Sequence, residues 1–100
     1  MEPRTVSLRL NGPEAHNLRD EALDLLSQEP DSEAATTIVA TLETVLHRAD
    51  YQDRRTTYRF QAEHLAEIIR SLQQWMTECH GRRLHPKFAR MTATLTAAIA

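Results

Sequence analysis

The stretch from Thr5 to Leu10, reading Thr-Val-Ser-Leu-Arg-Leu, limits what this chain can fold into more than any other. Its alternation puts Val6, Leu8 and Leu10 on one face of an extended strand and Thr5, Ser7 and Arg9 on the other. Asn11-Gly12-Pro13 breaks the strand, and Pro13 to about Ala49 carries helical periodicity. A lone strand leaves N–H and C=O groups unpaired along both edges, so it requires a partner. The segment from Arg55 to Phe60 supplies one within the same chain.

One hundred residues allow one domain, residues 1–100. With only two glycines and four prolines the chain lacks the turns of an all-β fold. Five aromatics leave the core to Leu, Ile, Val, Ala and Met. No apolar run approaches the ~18 residues of a membrane helix, and the N-terminus has no signal-peptide character, so a cytoplasmic setting without a membrane partner is expected. The single cysteine, Cys79, excludes an internal disulfide. A net charge of −2 hides an uneven distribution: residues 1–50 hold four arginines against ten carboxylates, residues 51–100 eight basic side chains against four. A polyanion is therefore expected to prefer the second half.

Met1 to Arg4 reads as a loose arm. Asn11 or Gly12 can cap a first helix that starts at Pro13, with Ala15, Leu18, Ala22, Leu25 and Leu26 as its apolar stripe. That helix is expected to end near Gln28, because Glu29 precedes Pro30. Asp31 or Ser32 caps a second helix with the stripe Ala35, Ile38, Leu42, Val45 and Leu46. Asp50 to Arg54 is a polar connector, after which the order recurs. An offset of fifty matches Leu8 with Tyr58, Arg9 with Arg59, Leu10 with Phe60, Ala15 with Leu65, Leu18 with Ile68 and Leu25 with Trp75. Gly81 is placed to end the third helix. At an offset of fifty-three Ala35 meets Phe88, Ile38 meets Met91 and Ala40-Thr41-Leu42 meets Ala93-Thr94-Leu95. The expected fold is mainly α with a short two-stranded antiparallel ribbon, a strand-helix-helix unit at 4–49 and another at 54–100.

A strand, two helices and a tight turn between them in about forty-five residues, with Val-Ser-Leu-Arg-Leu as the strand, resembles the ribbon-helix-helix family of repressors (the MetJ/Arc/CopG class). Two such units in one chain resemble those of some conjugative-plasmid accessory proteins, and imply a tandem pseudo-dimer. A single unit buries too little surface to be comfortably stable alone, which agrees with pairing. The resemblance implies a sequence-specific transcriptional regulator, a repressor or a plasmid or phage accessory factor, that inserts its ribbon into the major groove of double-stranded DNA. Carried over, the base-reading residues are Thr5, Ser7 and Arg9 on the first strand and Arg55, Thr57 and Arg59 on the second. Arginine can pair with guanine bidentately and Ser or Thr can contact any base, although the same types are common on any solvated ribbon face. The family also binds phosphate at the start of its second helix, which implies Ser32 in the first unit and Arg82, Arg83, His85 and Lys87 in the second. Glu29, Asp31 and Glu33 around Ser32 oppose an anion there.

The five histidines show no metal-ligand spacing, and Cys79-His80 with His85 is irregular. Glu63, His64 and Glu67 read as a solvated helix face, and Trp75 and Met76 as core. No enzyme, cofactor or metal is expected. Two other functions remain open: a protein-binding antitoxin or inhibitor on the same scaffold, favoured by the acidic first half, and a plain helical bundle with unpaired strands as an interaction module. The chain is expected as a monomeric pseudo-dimer or as a homodimer.

Overall fold

A computed structural model of the chain describes residues 4–46, 55–78 and 86–100, without the side chains of 45, 46, 75, 76, 86 and 87. Expectations for the 50–54 connector, Cys79, His80, Gly81, Arg82, Arg83 and His85, and for the side chains of Val45, Leu46, Trp75, Met76 and Lys87, lie outside the described residues. The elements run β1 (Thr5–Leu10), α1 (Gly12–Gln28), α2 (Glu33–Leu46), β2 (Thr56–Gln61), α3 (Ala62–Glu78) and α4 (Pro86–Ile99).

The strands pair antiparallel, Thr5 opposite Gln61 through Leu10 opposite Thr56. Pairing excludes the bundle with unpaired strands. Alternation then decides which face of the ribbon is covered: Leu8, Leu10, Tyr58 and Phe60 are buried, and Val6 is half-buried at the margin. The rings of Tyr58 and Phe60 stack at 6.1 Å, as residues two apart on one face of a strand can. β2 begins one residue later than the sequence suggests, so Arg55 precedes it.

Local signals account for the helix ends. Asn11 is the cap of α1: its Oδ1 accepts the Glu14 N–H at 2.8 Å, and Glu14 Oε1 accepts the Asn11 N–H at 3.0 Å, closing a capping box. Helix α1 ends at Gln28, with the Glu29 N–H donating to the Leu25 carbonyl at 2.7 Å before Pro30. Ser32 caps α2, its Oγ accepting the Ala35 N–H at 3.2 Å. α3 follows β2 without a linker, and its first N–H, from Ala62, donates to the Arg4 carbonyl at 2.8 Å. The Arg4 guanidinium donates to the Ile99 carbonyl at the end of α4. Arg4 is thus an anchor between the ribbon and both later helices, not part of a loose arm. The helix α4 has no basic residue of its own in its last turn, so a cation there satisfies a carbonyl that would otherwise be an orphan.

One apolar cluster joins all six elements: Ala15, Leu18, Ala22 and Leu25 from α1, Ala35, Ile38 and Leu42 from α2, Leu65, Ile68, Ile69 and Leu72 from α3, and Met91 and Leu95 from α4 meet the inner face of the ribbon. Leu26, Phe88 and Ile99 pack at its edge. Among the described residues no charged side chain is buried. The helices cover one side of the ribbon and leave the other bare, which is what a two-stranded sheet needs for stability and what leaves it able to touch something else.

Candidate nucleic-acid interface

The bare side of the ribbon carries Thr5, Ser7 and Arg9 from β1 and Thr57 and Arg59 from β2, all exposed. Ser7 lies opposite Arg59 and Arg9 opposite Thr57, while Thr5 faces the half-buried Gln61. This row contains no carboxylate, and neither Arg9 nor Arg59 has a hydrogen-bond or ion-pair partner among the described residues. The row therefore presents two guanidinium groups and three hydroxyls, a donor-rich surface with no negative charge of its own.

The register brings the two arginines closer than their matched places in the sequence suggest. They are expected toward opposite ends of the ribbon, but the register places Arg59 opposite Ser7 and Arg9 opposite Thr57, one step to either side of the Leu8–Tyr58 pair. Arg9 and Arg59 are diagonal neighbours, which places their Cα atoms about 7–8 Å apart. Arg9 is the fifth of six residues in β1 and Arg59 the fourth of six in β2, so a single pair, Leu8–Tyr58, separates their positions. Both arginines therefore address one short central patch.

Arg55 stands at the end of that row, outside the paired strand. It precedes β2, and its Nη1 lies 3.5 Å from Glu14 Oε1 in the first turn of α1. Its side chain stays 53% exposed. Nothing local in the sequence marks this contact, since Glu14 already suits the positive end of α1 without it.

Of the expected phosphate ligands, only Ser32 is described, and its surroundings disfavour an anion. Its hydroxyl donates to Glu67 Oε2 at 3.3 Å while capping α2. Glu29, Pro30, Asp31, Ser32, Glu33 and Glu67 line an open cleft of about 460 Å³, so four carboxylates surround the helix start. Glu67, expected on a solvated helix face, is half-buried and meets Ser32 at the start of α2. His64, read the same way, is also half-buried, and its Nδ1 has no hydrogen-bond partner among the described residues. On the opposite pair of helices, Arg19 holds Glu43 through Nε at 3.2 Å and Nη2 at 3.0 Å, a tie between α1 and α2.

Among the described residues no three His, Cys, Asp or Glu side chains are grouped to hold a metal ion, and no helix is long and apolar enough to cross a membrane. The chain matches no known family model, no curated protein and no solved structure.

Proposed function

We propose that the chain is a sequence-specific DNA-binding regulator that lays the bare face of its ribbon in the major groove, as a tandem ribbon-helix-helix pseudo-dimer of the kind the first strand resembles. The observation that carries the reading is the exposed, carboxylate-free row in which Arg9 and Arg59 flank the Leu8–Tyr58 pair with no partner among the described residues. The major groove, about 12 Å wide, admits a two-stranded ribbon, and its guanine edges offer the paired acceptors that a guanidinium fits. Thr5, Ser7 and Thr57 add hydroxyls that can donate or accept.

The register also supports duplication. In a ribbon made by two equal units about a two-fold axis, the residue on the axis pairs with its own equivalent. Leu8 pairs with Tyr58, and these are residues that the sequence offset of fifty matches. The offset came from apolar spacing and the register from strand pairing, so the agreement links two separate observations.

Binding to random-sequence duplex at low and moderate salt, followed by selection from a randomised pool, tests the proposal. Expected are binding that weakens steeply with salt and enrichment of guanine at a few central positions. No binding at low salt would refute it and favour a protein partner, the antitoxin or inhibitor reading.

A further inference from the structure

Resting on the DNA-binding reading, we infer that Arg55 is a phosphate-contact residue held in reserve by Glu14, and that it acts at one end of the ribbon only. Position 55 continues the outward row of Thr57 and Arg59, since alternate residues of a strand share a face. Extending the register one step beyond the Leu10–Thr56 pair sets it opposite Asn11, the cap of α1. Arg55 thus stands where the ribbon ends. A ribbon centred in the groove meets base edges at its middle and the phosphate walls at its ends, so this guanidinium addresses backbone.

The two members of the ion pair are held very differently. Glu14 is fixed: the same Oε1 that lies 3.5 Å from Arg55 accepts the Asn11 N–H at 3.0 Å in the capping box. Among the described residues Arg55 is tied by that one long contact, its side chain is mostly exposed, and such a surface pair is weak. A phosphate at the ribbon end competes for Arg55 on favourable terms, because arginine binds phosphate bidentately. Meanwhile the Glu14 carboxylate repels that phosphate. Glu14 therefore lowers DNA affinity twice, by occupying Arg55 and by its own charge. At the other end the residues equivalent by the offset of fifty are Thr5 and His64, so neither the arginine nor its carboxylate restraint recurs.

The test measures affinity of the full chain for random-sequence duplex across salt for the parent, Glu14→Gln, Arg55→Ala and the double variant, with melting curves alongside. Glutamine at this position still closes the capping box, so Glu14→Gln keeps the fold. Arg55→Ala is expected to shallow the log–log salt slope by about 0.9, so that a fourfold rise in salt weakens binding about 3.5-fold less than for the parent. Its preference for a selected site over random duplex is expected to stay unchanged. Glu14→Gln is expected to tighten binding, and the gain to shrink by at least half in the Arg55→Ala background. An unchanged slope in Arg55→Ala, a loss of site preference in it, or an equal gain from Glu14→Gln with and without Arg55 would each overturn the inference while leaving DNA binding intact. A parent that binds no duplex at low salt would overturn the underlying reading as well.

Discussion

Two adjacent residues of β1 provide a sharp test, because the ribbon assigns them opposite surroundings. Leu8 is 5% exposed at the centre of the inner face, and Ser7 is exposed on the outer face opposite Arg59. Leu8→Asp forfeits about 2 kcal/mol of leucine burial. It also forces a carboxyl group into an apolar cluster with no charged partner, which adds several kcal/mol whether the group ionises or takes up a proton. The total, on the order of 5 kcal/mol, reaches the low end of the whole stability of a small domain. Ser7→Asp instead places a carboxylate across the strand pair from a guanidinium, a gain of about 0.2–1 kcal/mol. The same carboxylate would occupy Arg59 and face the base edges. On the DNA reading that costs about 1–3 kcal/mol at a selected site, on the order of tenfold to a hundredfold in affinity. Urea unfolding followed by circular dichroism gives the first quantity and fluorescence anisotropy on labelled duplex the second. Leu8→Asp that unfolds like the parent would refute the inward face. Ser7→Asp that stays folded and binds DNA normally would refute the outer face as the reading surface.

Arg9→Ala and Arg59→Ala should each weaken binding to a selected site by about 1–3 kcal/mol with little change on random duplex or in melting temperature, as competing titrations would register. Asn11→Ala should cost about 1 kcal/mol of stability through loss of the α1 cap, measurable by urea unfolding. Removing Arg82, Arg83 and Lys87 together should weaken binding to all duplexes alike and flatten the salt dependence, since phosphate contacts carry no base information. A solution mass near 11.5 kDa by sedimentation is expected of a chain that pairs its own strands, and a mass of twice that value would count against the pseudo-dimer.

The elements were legible because each is written in local chemistry. Alternation in Thr5 to Leu10 and Arg55 to Phe60 marks the strands to within a residue, and three-four spacing marks the helices. Pro30 fixed the end of α1, and Asn11 and Ser32 had the side chains that caps require. The misses all concern polar side chains that act across long stretches of chain. Arg4 reaches Ile99, ninety-five residues away, and Ser32 meets Glu67 thirty-five residues away. No period or propensity encodes such a pairing; it exists only after apolar packing has set the helices beside one another. The contact of Arg55 with Glu14 is hidden for a related reason. Its parity is that of a strand residue, but its partner is set by where α1 begins, which depends on the register and not on the strand itself.

Charge decides how such a surface would have to work. The chain is negative overall, and the start of α2 gathers Glu29, Asp31, Glu33 and Glu67, so its field as a whole does not attract a polyanion. Arg9 and Arg59 alone neutralise few phosphates, and each phosphate contact contributes only about 0.9 to the salt slope. Non-specific affinity at physiological salt should therefore be poor. A regulator of this kind would depend on base contacts along the ribbon for most of its hold on a site. That division has a consequence for specificity. When the non-specific term is small, losing one central guanine contact removes a large share of the total binding, so a single base change in the core should abolish occupancy instead of merely weakening it. On the DNA-binding proposal the acidic corner would serve discrimination, because it would deny the protein the backbone contacts that hold it on wrong sequences.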